Sequence, residues 1–151
     1  MRIFLFWLIA FFAAKTLPVV VFASQFVSLK SSEVNLRVGP GKEYPISWVF
    51  MKNNLPMMLV AEFEQWRKIK FIDGTEGWVH QNMISRKSTA IVISENAILY
   101  QYATNSQPIA RMEKGVVVRV LKKESEWVKI EVNKIKGWMR RKELWGLEEE
   151  L

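Results

Sequence analysis

The chain has no cysteine, and a single histidine and a single aspartate among its 151 residues. Without cysteine there is no disulfide framework, no thiol nucleophile and no thiolate metal site, so the fold must hold by packing alone. His80 stands alone, and Asp73 precedes Gly74 where a turn claims it. No serine therefore has a histidine–carboxylate partner set, and no cluster offers three or four metal ligands. A glycosidase needs two carboxyls across a cleft. Glu62, Glu64 and Glu76 are available, but they sit at strand ends beside turns, where a solvated glutamate is the ordinary state. These absences lead us to expect a protein that is not an enzyme and takes no cofactor or metal.

Apolar residues are plentiful, half of the total, and many fall at the start. Met1-Arg2 gives a short basic beginning, and Ile3 to Ala14 is an unbroken apolar run, too short to span a bilayer comfortably. Lys15 interrupts it, Leu17 to Phe22 resumes it, and Val21-Phe22-Ala23 places small residues where a signal peptidase reads them. We read residues 1–23 as a secretory signal cleaved after Ala23; a retained anchor is the competing reading. A first core helix is disfavoured by Lys15 and Pro18. The expected location is therefore outside the cytoplasm, periplasmic or secreted.

The remainder repeats. Trp127 follows Trp66 by 61 residues and Trp138 follows Trp78 by 60, each of the latter pair preceded by glycine. Pro56 to Val60 has its counterpart in Val117 to Leu121, so a unit near 60 residues occurs twice, at 27–86 and 87–146, before an acidic tail at 147–151. Within the first unit, Ile46 to Met51, Pro56 to Glu62, Trp66 to Ile72 and Glu76 to His80 alternate as strands, with no helical period. Asp73-Gly74 predicts a type I′ hairpin, and Asn133-Lys134 does the same job less decisively. The strand Val34, Leu36, Val38 runs into Gly39-Pro40-Gly41, a break that carries Arg37, Lys42 and Tyr44 beside it. Short strands without helices imply an all-β fold of two small barrels in tandem.

Alternation assigns faces. Ile69 and Phe71, and likewise Val128, Ile130 and Val132, point inward, which leaves Trp66 and Trp127 on the solvent side. Trp78 and Trp138 have apolar neighbours and are assigned to the core.

Asn35-Leu36-Arg37-Val38-Gly39-Pro40-Gly41, Tyr44, Trp66 with Lys68-Ile69, Asp73-Gly74 and Gly77-Trp78-Val79 together resemble the bacterial SH3-like domain, a secreted five-stranded barrel. The second unit keeps Gly115, Trp127, Gly137-Trp138 and Leu144, but Ala97 to Tyr102 replaces the Arg and Gly-Pro-Gly signature. The resemblance implies a non-catalytic module of bacterial envelopes that binds peptidoglycan or peptides in a groove. Its candidate ligand-binding residues here are Arg37, Tyr44, Trp48, Trp66 and Asn82, with Met83 nearby, and Trp127 in the second copy. Arg37 has a second reading, bracing its loop through backbone carbonyls, and Tyr44 a second reading, packing over Gly39 or Gly41.

Charge divides unevenly. From Glu33 to Ser85 six basic and six acidic residues cancel, whereas Arg86 to Leu151 carries thirteen basic and nine acidic, net +4. An exported protein seldom meets nucleic acid, so acidic envelope material or an acidic partner suits Lys122-Lys123 and Arg140-Arg141-Lys142 better. The expected function is binding of a cell-wall component or extended peptide by the first unit, with a basic docking surface on the second. The alternative is a structural or regulatory envelope protein whose units pack face to face with tryptophans filling the interface.

Overall fold

A computed structural model of the protein describes residues 25–148. The expected signal segment, its cleavage point and the last three residues of the acidic tail lie outside the described residues. Fourteen strands follow one another: β1 (Gln25–Leu29), β2 (Val34–Arg37), β3 (Ile46–Phe50), β4 (Pro56–Phe63), β5 (Trp66–Lys70), β6 (Glu76–His80) and β7 (Ile84–Ser85), then β8 (Thr89–Val92), β9 (Ala97–Tyr100), β10 (Pro108–Met112), β11 (Val117–Lys123), β12 (Trp127–Val132), β13 (Ile135–Arg140) and β14 (Leu144–Trp145). Single 3-10 turns, Gln81–Met83 and Arg141–Glu143, precede the last strand of each set.

The first seven strands form one antiparallel sheet in the order β3-β2-β6-β5-β4-β1-β7, and the second seven repeat it as β10-β9-β13-β12-β11-β8-β14. The repeat extends to an irregularity in the ladder. The register slips between Leu59 and Ala61 against β5, and again between Val120 and Lys122 against β12, leaving Val60 and Leu121 as extra, exposed residues.

Neither sheet closes into the expected barrel. Each terminates at a two-residue strand: β7 bonds only through Ser28 opposite Ser85 and Leu29 opposite Ile84, too short a ladder to reach across to β3. The core is instead gathered on one face. Val27, Leu29, Val34, Leu36, Met57, Ile69 and Val79 are buried together in the first sheet, and Val92, Leu99, Val118, Val128, Ile130 and Met139 in the second.

The hairpin chemistry also differs from expectation. The type I′ geometry belongs to Asn133-Lys134, where both residues have positive φ (48° and 68°) and Val132 pairs directly with Ile135. At Asp73-Gly74 only Gly74 has positive φ, 91°. Gly74 N–H donates to Phe71 O at 3.0 Å, Phe71 N–H donates to Thr75 O at 2.8 Å, and the Asp73 carboxylate takes the Thr75 N–H at 2.8 Å. The aspartate thus stabilises a longer loop by bonding its own backbone. Val38 does not continue the inward alternation, because β2 ends at Arg37 and Val38 is 57% exposed.

Candidate functional site

Apart from β8, which is buried on both sides, the strands of the sheets offer one face to the core, and the outward face of the first sheet gathers the polar-aromatic residues. On β6, Gly77 and Val79 are buried, so Glu76, Trp78 and His80 point outward. The ladder then sets Trp66 opposite His80, Lys68 opposite Trp78 and Lys70 opposite Glu76, while Arg37 of β2 lies opposite Trp78 on the other side. Phe63 of β4 pairs with Trp66. A row Arg37–Trp78–Lys68 and a row His80–Trp66–Phe63 therefore run side by side on one surface.

Gly77 is what allows this. A Cβ there would fall 2.7 Å from Arg37 O and 2.8 Å from Leu36 Cγ, so β6 can cross β2 closely only with glycine at that position. Gly137 has the same constraint against Tyr100 O and Leu99 Cγ, each at 2.7 Å. The Gly-Trp pair is thus a register device: the glycine faces in and the tryptophan must face out. Trp78 and Trp138, assigned to the core from the sequence, are half-buried on the outer face, and Val79 and Met139 fill the core in their place.

The surface is braced from beneath and from its end. The Trp66 and His80 rings meet edge to face at 5.6 Å. His80 Nε2 lies 3.1 Å from Gln65 Oε1, and its Nδ1 accepts from Asn82 N–H at 3.3 Å. Arg67 donates to Glu64 O at 2.8 Å, to Trp66 O at 2.9 Å and to Gln81 Oε1 at 3.2 Å, tying the β4–β5 turn to the 3-10 turn that carries Asn82. Lys68 Nζ lies 2.8 Å from Glu76 Oε1. That bond, with the charges of Lys68 and Lys70, holds the Glu76 carboxyl below its ordinary range.

Of the residues singled out in the sequence, Trp66 and Asn82 share this cluster, and Arg37 borders it. Arg37 donates to Lys42 O at 3.2 Å and to Tyr44 O at 2.7 Å, so its guanidinium braces the Gly-Pro-Gly loop. Tyr44 lays its ring over Gly39, where a Cβ would stand 2.5 Å from Tyr44 Cδ1, and remains 41% exposed. Trp48 lies elsewhere: it pairs with inward-facing Leu36, on the opposite side of the sheet from Trp66, and is 54% exposed because β3 is an edge strand. Trp127 belongs to the second sheet.

That second sheet answers the first position for position but covers its rings. Trp127, expected on the solvent side, is only 9% exposed: the Arg140 guanidinium lies over its ring at 4.3 Å, and Tyr100 meets it edge-on at 5.7 Å. Arg140 is itself held by Glu126 at 2.8 Å and Asn105 at 3.1 Å. Lys129 and Lys122 stand 5.8 and 6.0 Å from the Trp138 ring. Alternation placed Trp127 on the correct face; what it could not foresee was a cation seated on that ring.

From sequence alone Trp78 is assigned to the core, and neither His80 nor Phe63 stands among the candidate contacts. A signal for Trp78 was present, since a glycine flanked by Trp and Val in a strand has to choose a face, and close strand crossing claims the glycine.

Two seven-stranded antiparallel sheets of the same order, repeated in tandem with tryptophans on their outer faces, define an all-β tandem-repeat protein. The chain belongs to the bacterial SH3 domain family, whose model matches residues 30–86 and again residues 94–146. A curated relative, the putative N-acetylmuramoyl-L-alanine amidase YrvJ of Bacillus subtilis (strain 168), is 26% identical over 125 residues. The match covers 74% of this chain but 24% of that protein, so the chain spans about a quarter of its relative's length. Similar solved structures include NlpC2 from Trichomonas vaginalis, 9% identical with a TM-score of 0.38 over 83% of this chain and 49% of that one. An NlpC/P60 family protein from Bacillus cereus ATCC 10987 is 11% identical, with a TM-score of 0.37 over 80% of this chain and 56% of that one.

Proposed function

We propose that this is an exported, non-catalytic protein of the cell envelope that binds peptidoglycan through the outer face of its first sheet. The observation that carries the reading is the difference between the two copies: Trp66 and Trp78 stand half-exposed with no cation over either ring among the described residues, whereas Arg140, Lys122 and Lys129 sit over Trp127 and Trp138. An uncovered ring face offers large contact area at little rotamer cost and suits sugar faces and apolar peptide side chains. The matched relative's name refers to the N-acetylmuramoyl-L-alanine linkage, which supports a wall component as ligand. Arg37 and Tyr44 set the shape of the adjoining loop, and Asn82 bonds through its backbone N–H to the His80 ring that meets Trp66.

The test is co-sedimentation of the protein with purified peptidoglycan, alongside Trp66→Ala, Trp78→Ala and Tyr44→Ala variants shown to be folded by circular dichroism. Wild type is expected in the pellet, with the two tryptophan variants largely in the supernatant. Wild type left in solution at low salt ends the wall-binding reading. Binding that survives both tryptophan changes moves the site off this face.

A second reading, contact with another protein, is favoured by one feature. The edge strand β3 and its approach expose Tyr44, Ile46, Trp48, Val49 and Met51 along an unpaired edge. Loss of a co-purifying envelope protein on Trp48→Ala, with wall binding unchanged, would favour it.

A further inference from the structure

Where the chain passes from the first sheet to the second there is a cavity of about 370 Å³, lined by Arg86, Lys87, Ser88 and Thr89 from the connection and by Lys122 and Lys123 from the end of β11. Four cations from two separate stretches of sequence converge on one space. Two are partly neutralised: Lys122 pairs with Glu124 at 2.9 Å and Lys123 with Glu148 at 3.6 Å. Arg86 and Lys87 make no side-chain ion pair or hydrogen bond among the described residues. With their two described carboxylate partners, the four cations carry a net charge of +2 among the described residues.

The walls are fixed before any ligand arrives. Val120 N–H donates to Ser88 O at 2.9 Å, and Thr89 is laddered to Arg119. Thr89 is 6% exposed, and its hydroxyl is buried with no hydrogen-bond partner among the described residues. Buried hydroxyls without a partner are uncommon, and each asks for an explanation.

We propose that this junction is a binding site for a phosphate ester, separate from the aromatic face and independent of it. A phosphate presents three or four acceptor oxygens and more than one negative charge. It can therefore engage the Arg86 fork, Lys87, the Lys122–Lys123 pair and the Ser88 hydroxyl together, where a carboxylate would leave donors unused. The phosphate can belong to a soluble ester or to a lipid headgroup, the chemistry of recognition being the same.

The experiment uses the full chain in three forms: wild type, Arg86→Ala/Lys87→Ala, and a charge-matched control, Lys42→Ala/Lys136→Ala, at positions that do not line the cavity. Each is titrated calorimetrically with inorganic phosphate and with glycerol 3-phosphate, and sedimented with phosphatidylcholine vesicles with and without phosphatidylglycerol. Saturable binding of the soluble probes, weakened about tenfold in Arg86→Ala/Lys87→Ala and unchanged in the control, supports the site with a soluble ester as its ligand. The same pattern seen only with phosphatidylglycerol vesicles supports it with a lipid headgroup. Absence of binding to every probe at low ionic strength overturns it, as does equal weakening in both double variants, which would mark diffuse charge attraction.

Discussion

Trp145 of β14 meets Phe71 of the first copy edge to face, their ring centroids 5.6 Å apart, and turns its other side to Phe26 at 5.1 Å. In the repeat, Trp145 stands where the first copy has Ser85. There the ladder sets Ser85 opposite Ser28, with their hydroxyls 2.8 Å apart; in the second copy it sets Trp145 opposite Ile91. A polar pair that closes one sheet has become an apolar pair that docks on its neighbour. Ile91, Ile93, Val117 and Trp145 all pack against the first core. A tryptophan does sit between the copies, although not one that repeat spacing singles out.

Because Trp145 serves both sheets, Trp145→Ala should lower the stability of the whole molecule. Large-to-small changes at packed aromatic positions cost about 3 kcal/mol or more. Chemical denaturation followed by fluorescence and by far-ultraviolet circular dichroism should show one coincident transition in wild type, displaced to lower denaturant in the variant. Two separate transitions in wild type would mean that the copies fold independently.

Gly146 and Gly74 separate two costs that a glycine can hide. Both have positive φ, 108° and 91°. A Cβ at Gly74 meets open space, whereas at Gly146 it would lie 2.6 Å from Pro56 Cβ and 2.9 Å from Thr89 O, across the contact between the copies. Gly74→Ala should therefore cost about 1 kcal/mol, the backbone term alone. Gly146→Ala should cost more, by roughly 1–3 kcal/mol of overpacking. Equal losses in thermal denaturation would place the two glycines in the same category.

Two glutamates should respond to acid with opposite sign. Burial raises the Glu143 carboxyl above its ordinary value of 4.5, and Oε2 is buried without a hydrogen-bond partner among the described residues. Below 4.5 both folded and unfolded states hold that proton. As pH rises above 4.5 the unfolded state releases it first, so the folded state is progressively disfavoured. Glu143→Gln should accordingly melt higher than wild type at pH 7, and the gap should close as pH falls below 4.5. Glu76, lowered by Lys68, contributes in the other direction: its favourable contribution is present above 4.5 and is lost as pH falls through its depressed value. Melting temperatures of Glu143→Gln, Glu76→Gln and wild type between pH 3 and pH 7 check both signs.

The matched tryptophans should part company under mutation. Trp127→Ala removes a buried ring held by Arg140 and Tyr100 and should cost about 3 kcal/mol. Trp66→Ala removes a half-exposed ring in contact with His80 and should cost about 1 kcal/mol. Urea midpoints of the two variants test this, and a larger loss at Trp66 would reverse the assignment.

Much of this architecture could be read from the chain. Two copies, all-β, with Ile69, Val128 and Ile130 facing in, follow from spacing and alternation, because a period of two in a half-buried strand leaves little freedom. The bracing role of Arg37 and the packing of Tyr44 over Gly39 were among the readings the loop sequence allowed. What alternation alone could not resolve were choices made by third parties. Trp78 is turned outward by the crossing of β2 over Gly77, a contact between segments 40 residues apart. Trp127 is buried by Arg140, a partner on the next strand. Asn133-Lys134 takes the tight turn because β12 and β13 are in register up to it, whereas the bond from the Asp73 side chain to Thr75 favours a longer loop. Open sheets in place of closed barrels depend on the two-residue length of β7 and β14, a boundary that local propensity does not mark.

The division of labour between the copies is tested most directly by the indole N–H signals of the protein in a nitrogen-15 correlation spectrum, recorded while a soluble muropeptide is added. The account predicts that the Trp66 and Trp78 signals shift in a saturable way while those of Trp127 and Trp138 stay in place. Shifts confined to Trp127 and Trp138, or no shift in any of the four, would contradict it.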